Sequence, residues 1–371
     1  VSPQPTRLEN LTALLLLAGP IAVSQLAQTS MGFVDTVMVG RLGPTDLAAV
    51  SLGSAVFFGI LVFALGVLLG VGPIVAQAVG AEDERTIGEA GRAGLGTTLL
   101  VTPVVLILMF LARGQLSKFI DDPAVVELAQ GYLGAVSWSV LPYLGFIALR
   151  SWLEALNRPL IVTAFTVVTV AVNVFGNYVF VYGAFGFPQL GAVGTGYATS
   201  LSNVFLFLGL GTYTLLQSDL RPYWTSRLGS YFLWPRIREI LRVGGPIGFS
   251  FGIEVGLFSA TAVLVGGLGA EQLAAHQIVI QCAAMAFMLP LSVALASSIR
   301  VGNLVGAGKE AIAREAGWLG IAFGASLMIV SATLFVLFPD WLLWVFLGEV
   351  EPNEARVAAT ATGLLAFAGA F

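Results

Sequence analysis

Two carboxylates interrupt long apolar runs of this chain, Asp35 within SMGFVDTVMVG and Glu254 within FSFGIEVGLFS. An ionisable group inside a hydrocarbon layer costs at least roughly 2.5 to 3.5 kcal/mol, so each acid is a candidate for function. Gln25, Gln28, Gly32 and Asp35 follow at steps of 3, 4 and 3, which places them on one face of a helix. Ser250, Glu254, Phe258 and Thr261 share a face by the same rule. A carboxyl in such surroundings either exchanges protons near neutral pH or holds a cation such as Na⁺ with help from carbonyls and amides, at Asp35 or at Glu254. The spacing alone does not choose between them.

Asn173 and Asn177 form an i, i+4 pair, followed by Tyr178. They either extend the polar site around Asp35 or hold a helix bundle together by amide hydrogen bonds. Gln277 and Gln281 repeat that spacing beside His276, where a structural role is the expectation. Glu154 stands four residues from both Arg150 and Arg158 and reads as part of a cytoplasmic salt-bridge cluster. Asp46, Asp121, Asp122 and the run Glu82 to Glu84 read as solvated loop charges.

The same inventory excludes other chemistries. Cys282 and His276 are the only residues of their types, so neither a disulfide within the chain, a zinc cluster nor a nucleophile with its base can be assembled. No Walker phosphate loop is present. An enzyme is not expected, and no cofactor. A net charge of −4 argues against a nucleic-acid partner.

The elements that carry these residues must lie in a membrane. Of the 371 residues, 57% are hydrophobic and 10% charged, far from the roughly 25% charged of soluble domains. Spans of about 20 apolar residues are expected near 11–40, 47–79, 93–112, 130–152, 160–182, 193–216, 239–267, 273–305 and 317–346, with a tenth beginning near 355 and cut off at Phe371. The start shows no cleavable signal peptide. With these spans, 13 of the 17 basic residues fall on one side, which makes the amino terminus cytoplasmic.

The chain also matches itself at an offset of 226 residues. Gly19-Pro20-Ile21 pairs with Gly245-Pro246-Ile247, Leu47-Ala48-Ala49 with Leu273-Ala274-Ala275, and Val79-Gly80-Ala81 with Val305-Gly306-Ala307. Between 18 and 94 there are 24 identities in 77 positions without a gap. In this register Glu254 replaces Gln28 and Thr261 replaces Asp35, so the acids sit seven residues, about 10 Å, apart in depth. Six spans separate the copies, so both enter the membrane alike and are related by an axis along its normal. The expectation is an all-α membrane protein of two six-helix bundles, with twelve spans when complete: an amino-terminal lobe at 1–216, a cytoplasmic linker at 217–238, and a truncated carboxy-terminal lobe at 239–371.

The segments Gly19 to Gly40, Asn173 to Gly183 (NVFGNYVFVYG), Ala274 to Gln277 and Ser298 to Asn303 resemble the multidrug and toxic compound extrusion (MATE) family over the whole chain. Glu254, with Phe251 before it and Leu257-Phe258 after, resembles the NorM branch. The resemblance implies export of organic, mostly cationic compounds in exchange for Na⁺ or H⁺ by alternating access. Asp35 would then be the coupling acid of the first lobe, supported by Asn173, Asn177 and Tyr178 and sharing its face with Gln28, and Glu254 the acid of the second. A monomer in the inner (plasma) membrane, with organic cations and membrane lipid as its partners, is expected. Two alternatives stand beside this: a flippase for lipid-linked saccharides, which would need basic residues in its cavity to meet pyrophosphate, and a passive channel.

Overall fold

A computed structural model describes residues 7–120, 122–224, 231–267, 269–347 and 355–370. It is built from helices: α1 (Arg7–Gly40), α2 (Pro44–Leu69), α3 (Val71–Gly80), α4 (Glu84–Gln115), α5 (Pro123–Val136), α6 (Val140–Ala155), α7 (Pro159–Tyr182), α8 (Ala192–Leu216), α9 (Arg221–Trp224), α10 (Trp234–Gly266), α11 (Ala270–Gly306), α12 (Glu310–Leu337), α13 (Pro339–Leu347) and α14 (Ala355–Ala370). Nine segments among the described residues are long and apolar enough to cross a membrane, and α14 adds a shorter apolar helix. Residues 225–230 of the expected linker, Asp121 and Leu268 lie outside the described residues, as do the side chains of Arg7, Leu273 and Arg356.

Local chemistry sets the ends. Proline, which has no backbone N–H to lose, opens α2, α5, α7 and α13. Asp83 and Asp122 cap α4 and α5 by accepting from the backbone N–H of Thr86 at 3.0 Å and of Ala124 at 2.9 Å. Gly183, at φ 73°, closes α7 in the left-handed conformation that a side chain would strain. Three expected spans are interrupted, the fourth span by a 3-10 turn at Ser137–Ser139 between α5 and α6. The second breaks at Gly70 between α2 and α3, three residues before Pro73, whose missing N–H leaves a carbonyl of the preceding turn unpaired. The ninth breaks between Leu337 and Pro339 for the same reason.

The helices fall into two compact units. One comprises Val23–Gly252 with Ile299–Glu310. Its centre is α6, which is apolar nearly all round and buried along its length, with Phe146, Trp152 and Leu153 fully enclosed. Close helix approaches in this unit rest on glycine. A first side-chain carbon on Gly80 would lie 1.9 Å from the Asn303 carbonyl oxygen, and one on Gly306 the same 1.9 Å from that of Gln77. In the repeat register Gln77 matches Asn303 and Gly80 matches Gly306. The crossing of α3 and α11 is therefore reciprocal, each copy presenting to the other the position it receives. The second unit comprises Val1–Ala22, Ile253–Ser298 and Ala311–Phe371, and its core gathers Ala275, Val279, Cys282, Phe335, Leu343, Ala361 and Leu365.

Candidate functional site

Asp35 lies on the part of α1 that belongs to the first unit, facing α7 and α8. The Nδ2 groups of Asn173 and Asn177 donate to its Oδ1 at 3.1 and 2.6 Å, and the Thr199 hydroxyl donates to its Oδ2 at 3.1 Å. Four residues separate the asparagines, one helical turn, so both reach the same carboxylate. A side-chain carbon on Gly176 would come within 3.2 Å of Ala198, and this close approach of α7 and α8 delivers Asn177 and Thr199, the residues that follow, to the same acid. Both asparagines are buried, and the Asn177 Oδ1 is enclosed without a partner.

The acid opens into a cavity of about 220 Å³ within this unit. Gln28, Gly32 and Asp35 form one wall, Ser51, Ser54, Phe57 and Phe58 of α2 another, and Tyr132, Tyr143, Thr199, Ser202 and Asn203 complete it. Among the described residues no lysine or arginine lines it. Tyr132 packs against Gly53, where a side-chain carbon would come within 2.4 Å of its ring, and its hydroxyl meets that of Ser54 at 3.0 Å. The site thus joins one carboxylate to neutral oxygen donors and aromatic walls, a combination suited to a cation with some apolar surface.

The structure brings together Asp35, Asn173 and Asn177, and places Gln28 in the cavity wall, its Nε2 3.5 Å from the Ser24 carbonyl. Tyr178 is placed elsewhere. It is 51% exposed and packs its ring against Tyr182 and Phe185. One residue is about 100° of helical rotation, enough to turn it from the face that carries Asn177. Glu254 belongs to the second unit, half-buried, with no hydrogen bond or ion pair among the described residues. Gln277 and Gln281 are exposed on α11, and the His276 Nε2 is enclosed without a partner.

Gln25 shares the helix face of Asp35, yet its side chain accepts from Arg150 Nη1 at 2.7 Å and stays outside the cavity wall. The expected cluster of Arg150, Glu154 and Arg158 forms only in part. Arg150 and Glu154 make a 2.8 Å pair with both side chains 5% exposed, a buried pair and not a solvated one. Arg158 pairs instead with Asp219, because α6 ends at Ala155 and Asn157, at φ 60°, turns the chain out of helical register. Asp46 also departs from a plain loop charge, accepting from the Ala192 backbone at the start of α8.

Sequence reasoning missed Thr199. The signal was present, since Thr195, Thr199, Ser202 and Asn203 make a polar stripe at helical spacing along α8. Hydroxyl residues are common in membrane helices because they can bond to their own backbone, as Ser202 does to Ala198 at 2.9 Å, so the stripe does not announce a site by itself.

A family model described as MatE matches residues 20–179 and 246–371. The chain is 37% identical over 375 residues to a protein of Mesorhizobium japonicum called a probable multidrug resistance protein NorM, covering 100% of this chain and 80% of that one. It is 35% identical over 350 residues to the multidrug resistance protein NorM of Aliivibrio fischeri, covering 92% and 75%. Among solved structures, the eukaryotic MATE transporter AtDTX14 superposes with a TM-score of 0.88 at 19% identity, covering 98% of this chain and 79% of that one. The Vibrio cholerae MATE transporter VcmN in its bent form gives 0.83 at 18%, covering 99% and 82%. At such identities these structures speak for the fold.

Proposed function

The chain belongs to the MatE family of multi-pass membrane transporters, and from that premise we propose that it exports organic cations by antiport against Na⁺ or H⁺. The observation that carries the proposal is the Asp35 cavity, where one carboxylate meets neutral donors with no basic side chain in the wall. A cationic amphiphile finds an acid and aromatic surface there. A lipid-linked pyrophosphate would find no arginine or lysine to neutralise it, which disfavours the flippase reading.

A coupling ion would compete for the same acid. Asp35, Asn173, Asn177 and Thr199 offer the oxygen ligands a hard cation takes, and the unpartnered Asn177 Oδ1 is an acceptor in want of a positive partner. Protonation of Asp35 would empty the site of charge by the other route. Either event removes the attraction for the drug, which is the coupling step. Glu254 would serve the second lobe. Alternating access between lobes at 1–216 and 239–371, joined through 217–238, a monomeric state, and an inner-membrane location with a cytoplasmic amino terminus belong to the same proposal.

The test follows a fluorescent organic cation in everted vesicles under an imposed proton or Na⁺ gradient, with wild type and Asp35→Asn. Transport that tracks one gradient and vanishes in the variant supports antiport and identifies the ion. Dye movement that ignores both gradients refutes it and points to a passive pore or another substrate.

A further inference from the structure

Three arginines stand near the start of α10, and their circumstances differ. Arg236 is committed: its Nε donates to Glu89 Oε2 at 3.1 Å, its Nη1 to Glu239 Oε2 at 2.9 Å, and its Nη2 to the Thr86 hydroxyl at 2.7 Å. Arg238 and Arg242 are exposed and have no hydrogen bond or ion pair among the described residues. They lie four residues apart, and Trp234, 62% exposed, lies four before Arg238, so the three form one row along the helix. Ile237 and Ile240 are buried on the other side. The row opens a helix apolar enough to cross a membrane, the position where tryptophan and basic residues meet lipid headgroups.

An apolar crevice of about 250 Å³ adjoins this start of α10. Its walls are Leu95 and Leu99 of α4, Leu141 of α6 and Phe207 of α8, and Tyr231 and Phe232 close it. Its polar groups are already engaged. The Thr98 hydroxyl donates to the Gly94 carbonyl at 3.1 Å, and the Tyr231 hydroxyl to that of Trp224 at 3.2 Å. Leu99, Leu141 and Phe232 are exposed, so the crevice is open to its surroundings. A side chain on Gly96 would strike the Tyr231 carbonyl and reach Ile237, so the first turn of α10 rests on the stretch of α4 that walls the crevice.

We propose that this is a binding site for one anionic phospholipid, with an acyl chain in the crevice and the headgroup phosphate at Arg238 and Arg242. The crevice offers hydrocarbon only, which a chain takes and a drug cation does not. Two unneutralised guanidinium groups on the helix that directly follows Tyr231 and Phe232 supply the charge complementarity that selects a negative headgroup over a zwitterionic one.

The test is native mass spectrometry of the protein released from bilayer discs of equal phosphatidylglycerol and phosphatidylcholine, counting retained lipids. Phosphatidylglycerol is expected to exceed phosphatidylcholine by about 25-fold, at roughly fivefold per arginine. Joint substitution Arg238→Gln and Arg242→Gln brings the ratio near one, while Leu99→Trp, which fills the crevice, lowers both lipids alike. On unaltered protein, about 1 M salt shortens the screening length to roughly 3 Å and erases the preference without any substitution. Equal retention by the wild type, or a preference that survives high salt or the loss of both arginines, overturns the proposal.

Discussion

At matched positions of the two repeat copies, Gln77 and Gly80 of the first meet Gly306 and Asn303 of the second, each in the mirror role of the other. Where charge is held, the match is lost. Asp35 corresponds to Thr261, whose hydroxyl only bonds back to the Leu257 carbonyl at 2.9 Å, and Glu254 corresponds to Gln28. Asp35 has three side-chain donors from two other helices, and Glu254 has none among the described residues. Small residues at a helix crossing answer to backbone geometry, which duplication preserves, because any added atom collides. A buried acid answers to its neighbours, so the two copies can carry different chemistry on one scaffold.

The comparison is broken most directly at the acids. Asp35→Asn is expected to abolish gradient-driven dye transport, and Glu254→Gln to reduce it while leaving a gradient response; equal behaviour of the two variants would show that the caging of Asp35 has no functional weight. A smaller effect tests the cage. Asn177→Ala removes a charge-assisted hydrogen bond of about 1.5 to 3 kcal/mol and should weaken cation competition for dye by roughly tenfold to a hundredfold, measured as the ion concentration that halves binding; an unchanged value would place the ion elsewhere.

The crossing gives a sharper prediction of smaller size. Gly80→Ala and Gly306→Ala should each destabilise the protein by about 1 to 3 kcal/mol, and by similar amounts, because each places a methyl against the matched carbonyl of the other copy. Thermal unfolding in detergent reads both, and strongly unequal shifts would deny the reciprocity. The smallest effect separates the helix starts. Asp83 caps α4, and its pKa is held below the usual aspartate range by hydrogen bonds from the Thr86 hydroxyl and backbone. A lowered value means its stabilisation is present above the ordinary aspartate pKa and lost as pH falls through the folded one. Hydrogen-exchange protection at the start of α4, taken relative to the intrinsic exchange rate at each pH, should therefore fall in acid in wild type but not in Asp83→Ala. Lys309, the matched residue before α12, has no capping oxygen and should give no such difference.

Spacing made the spans, the acid in α1 and the asparagine pair in α7 legible, because apolar length and helical periodicity survive any tertiary context. Other contacts were less readable. Tyr178 adjoins Asn177 in sequence and faces away from the acid, since neighbours on a helix point in different directions. Gln25 shares a face with Asp35 but answers to Arg150, a partner 125 residues away that no local pattern announces. Arg158 sits at helical spacing from Glu154 across a turn that abolishes the helix. Thr199 was hidden by how ordinary its residue type is in membrane helices.

The reciprocal contact of α3 and α11 has the form of an isologous interface, in which one surface is its own complement. Two separate chains, each of one repeat copy, would touch in this way if they paired about a two-fold axis. Read as ancestry, the crossing is the seam of a symmetric dimer whose subunits have since been joined end to end. Fusion explains the divided labour as well: within one chain, each former subunit was free to keep the seam and to move its acid to a depth of its own.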